Sequence, residues 1–231
     1  MRLQHLREEV LEANLELVRR GLVLYTFGNA SGISREDGLV VIKPSGVPYE
    51  AMKPADLVVT DLDGKVVEGN LRPSSDLPTH VLLYKAFQEI GGVTHTHSRY
   101  ATAWAQACKP IPCFGTTHAD YFHGSVPVTE VLNREAIEGE YEINTGHAIV
   151  RAFRGVNCAS IPAVLVANHG PFTWGKSASD AAHNAVILEE IAQTAYLTSQ
   201  INQEAAAISR NLHDRHYLRK HGAKAYYGQK K

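Results

Sequence analysis

The dipeptide Asp63-Gly64 stands between two valine pairs, Val58-Val59 and Val66-Val67. Apolar β-branched segments joined by Asp-Gly make a hairpin, because Gly and Asp tolerate the positive φ angles that a short turn demands. A hairpin commits its two strands to antiparallel pairing, so this part of the chain cannot lie in a purely parallel sheet. Upstream, Leu22–Thr26, Gly38–Ile42 and Leu57–Thr60 also have strand character. The N-terminus reads differently: Leu3, Leu6, Val10, Ala13 and Leu17 step by three and four, which predicts an amphipathic helix over 2–20 that Gly21 stops. From residue 76 the two patterns alternate, with helices over 77–89 and 99–107, near 133–153 and over 179–200, strands over 92–97 and 163–167, and a strand or turn over 111–115. The expected class is α/β, with antiparallel parts in its sheet. Polar and basic residues dominate 213–231, without the apolar spacing of a core helix.

The 231 residues are 44% hydrophobic and 20% charged, enough for one packed domain, and the formal charge of −1 leaves no basic field for nucleic acid or an anionic membrane. The partner is expected to be a small molecule. Glu8, Glu9 and Glu12 interrupt the N-terminal periodicity, which is not a signal-peptide pattern, and Cys108, Cys113 and Cys158 form no CxxC pair. A cytoplasmic protein with reduced thiols is the expectation. Twelve histidines outnumber the Cys, Met and Trp residues together, and imidazole is the commonest metal ligand.

Chemistry concentrates in Gly91-Gly92-Val93-Thr94-His95-Thr96-His97. The period of two in a strand places His95 and His97 on one face, ~7 Å apart at Cβ, so both can reach one ion. His169 follows the apolar run 163–167 in a Gly170-Pro171 turn, and Asp76 stands at the mouth of the helix predicted over 77–89. Read singly, these are also a core histidine, a turn histidine and an N-cap. Together, three imidazoles and a carboxylate make an N3O set suited to a tetrahedral divalent ion, zinc first, with Mn2+ or Co2+ as substitutes. Three turn-rich stretches, Gly28–Gly32, Lys43–Gly46 and Ser74-Ser75, offer backbone N–H groups, hydroxyls, the Asn29 amide and the Lys43 cation, the parts that hold a phosphate monoester.

The runs FGNASGIS, VIKPSGV, PSSDLPTH, THTHSRYATAWAQ, GTTHADYF, GEYE, NHGPFTWGK, AAHNAVILEE and HYLRKHGAKAYYGQ resemble the class II aldolase and epimerase family, in its pentulose-phosphate 4-epimerase branch, from Leu11 to Gln229. The resemblance implies an α/β/α sandwich around a central, mainly antiparallel sheet, one domain over 1–231, and a C4 homotetramer with sites between subunits that the tail, about 213–231, helps to build. It places metal ligands on Asp76, His95, His97 and His169, and a phosphate pocket on Asn29, Lys43, Ser45, Gly46, Ser74 and Ser75. Acid/base roles fall on Asp120 and Tyr227, the latter from the adjacent subunit, with His216, Glu142 and Thr116 as auxiliaries. A related aldolase carries Glu where Asp76 stands, so the shorter carboxylate points to the epimerase branch. Ala167 and Phe27 depart from the family pattern, which often has His and Trp there.

The implied reaction interconverts L-ribulose 5-phosphate and D-xylulose 5-phosphate, in pentose catabolism such as arabinose use. C4 of a ketopentose has no adjacent carbonyl to acidify it, so the route is cleavage of C3–C4 and re-addition to the opposite face. Rival expectations are a sugar-phosphate aldolase that releases its aldehyde, a non-catalytic module of the same family, and a zinc hydrolase sharing His-x-His.

Overall fold

A computed structural model describes residues 2–229. Seven strands form one sheet in the order β4-β3-β2-β1-β5-β7-β6, and every strand pair is antiparallel. They are β1 (Asn29–Ser34), β2 (Leu39–Ile42), β3 (Val58–Asp61), β4 (Val66–Glu68), β5 (Gly92–His95), β6 (Ala163–Leu165) and β7 (Pro171–Gly175). The helices are α1 (Gln4–Arg19), α2 (Leu77–Ala86), α3 (Arg99–Gln106), α4 (Thr116–Ala119), α5 (Arg134–Glu138), α6 (Tyr141–Ala152), α7 (Ala178–Ile201) and α8 (Arg210–His221).

Strand alternation sorts the core into two layers. Ile33, Val40, Ile42, Val58 and Val93 pack with Val81 and Tyr84 of α2, Ala105 of α3 and Ile149 of α6. Their neighbours Ala30, Val41 and Val59 face the other way, onto Val10, Ala13 and Leu17 of α1 and Ala178, Ala182 and Ala185 of α7. Helices therefore cover both faces of the sheet, which is why β2 is apolar at consecutive positions instead of alternating. Each fully buried Val or Leu contributes about 1.5–3 kcal/mol. Polar pinning adds register: buried Asn14 of α1 donates to Ala30 O at 3.1 Å and accepts from Ala30 N at 2.9 Å, bonding to β1 as a strand would.

The hairpin at Asp63-Gly64 forms, although its turn is wider than a two-residue loop. Asp61 N donates to Lys65 O, Asp61 Oδ1 accepts from Asp63 N and Lys65 N, and the register shifts between Val59 and Thr60. The strand expected at Leu22–Thr26 is absent. Gly21, at φ 68°, ends α1 and turns Leu22 and Val23 inward, after which Tyr25 takes φ 53° and Phe27 N bonds Leu24 O. That reversal leaves Leu24 and Tyr25 in solvent. Conversely, Gly28–Gly32 is not simply a turn: Asn29–Ser34 is the strand between β2 and β5. The tail also differs from its sequence pattern, since Arg210–His221 is helical with no buried residue. Of the stretch 213–231, Lys230 and Lys231 lie outside the described residues. No helix among the described residues is long and apolar enough to cross a membrane.

Candidate metal centre

Three strand ends bring the imidazoles together. His95 closes β5, paired to Asn29 of β1 on one side and to Phe172 of β7 on the other. His97 lies two residues further, just beyond the strand. His169 sits in the tight connection between β6 and β7, where Asn168 takes φ 61° and Val166 N bonds Gly170 O at 2.9 Å. Gly170 makes the approach possible: a Cβ there would lie 2.8 Å from Thr96 O and 3.5 Å from ring atoms of both His95 and His97. One nitrogen from each histidine falls within 4.8 Å of the others, and the ring centroids are 4.8–5.0 Å apart.

Surroundings fix the rings and disfavour protonation of His97 and His169. His95 Nδ1 donates to Pro171 O at 2.9 Å, which leaves Nε2 as its lone-pair nitrogen, and the ring stacks on Phe172 at 4.2 Å. Burial, with the neighbouring His95 and His97, pushes His169 down to about 4. His97 is lowered by burial and by His95. Neutral imidazoles with converging nitrogens are what a divalent ion requires.

Asp76 occupies the N-cap position of α2, yet its carboxylate makes no bond to the helix N–H groups. It accepts instead from Asn29 Nδ2 at 2.6 Å and lines the same cavity as the histidines. Burial opposes its ionisation, but His95, His80, the Asn29 amide and His169 together hold it below the usual carboxylate range. An anion in the same cavity as three imidazoles suits a divalent cation, though only the three histidines converge within 4.8 Å of one another.

The cavity, about 460 Å³, continues from the histidines to the anion loops. Two of those loops are zipped together by Ser74 N to Lys43 O at 3.0 Å and Ser45 N to Arg72 O at 2.9 Å. Lys43 is buried at the floor, its Nζ 4.7 Å from the Tyr49 ring centre and 3.3 Å from Pro44 O, and burial lowers its pKa. Gly46, at φ 70°, has open space where a side chain would stand. Asn29, Lys43, Ser45, Gly46, Ser74 and Ser75 all line this cavity with Asp76, His95, His97, His169 and Glu142.

The model of the family described as Class II Aldolase and Adducin N-terminal domain matches residues 8–196. The chain belongs to this family. It is 54% identical, over 99% of its length and 100% of the relative's, to a protein of Salmonella paratyphi B named L-ribulose-5-phosphate 4-epimerase UlaF. Among solved structures it resembles an L-fuculose 1-phosphate aldolase, with a TM-score of 0.78 at 27% identity, over 92% of this chain and 94% of the other. An L-fuculose 1-phosphate aldolase from Glaciozyma antarctica PI12 shares the fold, with a TM-score of 0.77 at 19% identity over 96% and 84% of the two chains.

As a class II aldolase-family chain it divides its expected site residues into two groups. Asp120, Tyr227, His216 and Thr116 do not line the metal cavity. Asp120, at the C-terminus of α4, is gripped by α8 of the same chain: Arg219 donates to both its oxygens at 3.0 and 2.7 Å, and His216 Nδ1 lies 3.1 Å from Oδ1. Burial raises its pKa, but the bonds from Arg219 and His216 and the Lys220 charge outweigh that and hold it low. Tyr227 lies against the same cations, its ring centre 5.0 Å from Arg219 Cζ and 4.5 Å from Lys220 Nζ. Thr116 opens α4, its carbonyl accepting from Asp120 N. Two neighbours of these residues have no sequence signature. Arg219 was hidden in a basic tail with no motif of its own. Tyr141, whose hydroxyl is 3.2 Å from His169 Nδ1, adjoins Glu142 in the run GEYE, where the charged neighbour is the stronger signal.

Proposed function

We propose that this chain is a zinc-dependent L-ribulose-5-phosphate 4-epimerase, acting in the cytoplasm as a homotetramer on the interconversion with D-xylulose 5-phosphate. The observation that carries the reading is a single cavity in which the His95, His97 and His169 nitrogens stand at one end and the Lys43–Gly46 and Ser74-Ser75 loops at the other. The 54% identity to a protein of that name supports the choice of substrate.

When bound, the ion supplies Lewis acidity toward the sugar's carbonyl and hydroxyl oxygens. Asp76, His95, His97 and His169 hold it. Lys43, Asn29, Ser45, Gly46, Ser74 and Ser75 keep the phosphate in place, so that glycolaldehyde phosphate formed by cleavage of C3–C4 stays bound while its aldehyde rotates. Re-addition to the other face inverts C4. A proton leaves the C4 hydroxyl in cleavage and returns to the opposite face in re-addition, so two groups flank the aldehyde. Asp120, held ionised by Arg219, and Tyr227 are these groups, presented by the packed α4 and α8 segments to the cavity of an adjacent subunit, with Thr116, His216 and Glu142 assisting. The whole chain acts as one domain.

Incubation with L-ribulose 5-phosphate is expected to yield D-xylulose 5-phosphate; absence of that product from zinc-loaded protein overturns the reading. The resemblance to a fuculose phosphate aldolase favours a second reading, cleavage with release. A coupled aldehyde assay separates the two, since only an aldolase accumulates free glycolaldehyde phosphate.

A further inference from the structure

Tyr141 belongs neither to the anion loops nor to the metal-ligand set, yet it lines the metal cavity with its hydroxyl 3.2 Å from His169 Nδ1. A neutral imidazole offers one lone pair, and the partner of its other nitrogen decides which. Pro171 O makes that choice for His95. For His169 the only side-chain hydrogen bond among the described residues is the one to Tyr141.

We infer that Tyr141 is a positioning residue for the metal centre: its phenol oxygen accepts the Nδ1–H of His169 and so presents Nε2 as the ligand nitrogen. The inference rests on the proposed metal site and adds the group that sets its third ligand. A phenol that accepts from an imidazole needs somewhere else to send its own proton. Thr145 stands one turn further along α6, and its Oγ1 is buried without a hydrogen bond of standard geometry. Burial disfavours ionisation of the phenol, so its proton stays on the oxygen. On this inference the hydroxyl accepts from His169, and its own proton is left to turn toward the partnerless Thr145 Oγ1.

The scaffold under Tyr141 is stiff. Tyr141 is the first residue of α6, and Thr79 Oγ1 of α2 donates to Glu142 O at 2.6 Å, tying the opening turn of α6 to α2. Further along, Gly146 lets the helices close: a Cβ there would lie 3.2 Å from Leu82 Cβ. Because Asp76 is the N-cap residue of α2, one pair of locked helices sets both the carboxylate and the phenol that orients His169.

The test measures zinc affinity by competition with a chromophoric chelator in the wild type, Tyr141→Phe, Thr145→Val and the exposed control Tyr196→Phe, with Tm recorded for each. Tyr141→Phe is expected to bind zinc about tenfold more weakly at an unchanged Tm, Thr145→Val to weaken binding less, and Tyr196→Phe to match the wild type. Side-chain 15N NMR of the wild-type protein as purified is expected to show His169 carrying its proton on Nδ1. Zinc affinity of Tyr141→Phe within about twofold of the wild type, or a proton on His169 Nε2, overturns the inference. A wild-type chain that binds no zinc instead defeats the metal reading itself, while the His169 tautomer still decides the role of Tyr141.

Discussion

His97 and His5 show how completely surroundings decide what an imidazole does. His5 stands in solvent on α1, whereas His97 lies among two other imidazoles and is lowered by burial and by His95. His97→Asn is therefore expected to abolish bound zinc, while His5→Asn keeps about one ion per chain by elemental analysis, since all four proposed ligands come from one subunit. Lys43 makes a different prediction. Its ammonium is buried beside backbone carbonyls and has no carboxylate partner among the described salt bridges, so it is free to meet a dianion. Lys43→Met should raise KM about ten- to a hundredfold, the worth of one charged hydrogen bond, with Tm unchanged or higher because a desolvated charge is gone. Steady-state kinetics and a melting curve check both parts. At this scale ligand types and spacing pointed to His95, His97, His169 and Asp76, and glycine and hydroxyl content to the candidate anion loops, and the fold gathers all of them around one cavity. Tyr141 was not readable because a positioning residue has no spacing rule, only a neighbour in space.

Secondary-structure elements were readable where burial is apolar and obscure where it is polar. Periodicity located α1, α3 and α7 to within a residue or two, and the Asp-Gly hairpin announced antiparallel pairing. It failed on β1, whose sequence Asn-Ala-Ser-Gly-Ile-Ser looks like a turn. That strand is buried because its polar groups are paired side by side: Asn29 to Asp76, and Ser31 Oγ to His80 Nδ1 at 2.7 Å and to the Tyr84 hydroxyl at 2.8 Å. It failed again on α8, which is fastened to the α4 segment by hydrogen bonds from His213, His216, Arg219 and His221 instead of by an apolar stripe. The glycine of β5 shows what sequence composition does encode. A Cβ on Gly92 would sit 2.2 Å from Ser177 O and 2.5 Å from Ala178 Cα, where α7 begins against the sheet. No flexible side chain is there to yield, so Gly92→Ala is expected to cost about 1–3 kcal/mol or more, read as a lowered midpoint in urea.

Acid should unfold the whole molecule through histidines remote from substrate as well as near it. Burial pushes His80 down to about 3 and His118 down to about 4, with His118 Nε2 bonded to Gly124 O at 2.8 Å. Both sit below the ~6.5 of an unfolded chain, so between those values the unfolded state binds more protons than the folded one. Their contribution is complete above pH ~6.5 and is lost as pH falls toward 4, at about 1.4 kcal/mol per pH unit for each. Melting curves in chelator, which remove the metal's own pH dependence, should show Tm falling between pH 6.5 and 4.5, with a shallower fall in His118→Gln.

The separation of Asp120 and Tyr227 from the metal cavity has a genetic consequence. If each reaction chamber joins the cavity of one chain to the α4–α8 unit of the next, then His97→Asn and Asp120→Asn damage opposite halves of it. Each variant alone should be dead. Unfolded together in equal amounts and reassembled, they should regain about a quarter of wild-type turnover, the fraction of neighbour pairs in a cyclic ring that unite two undamaged halves. Chains that each carried a full chamber would show no such complementation, because neither variant would have anything to lend the other.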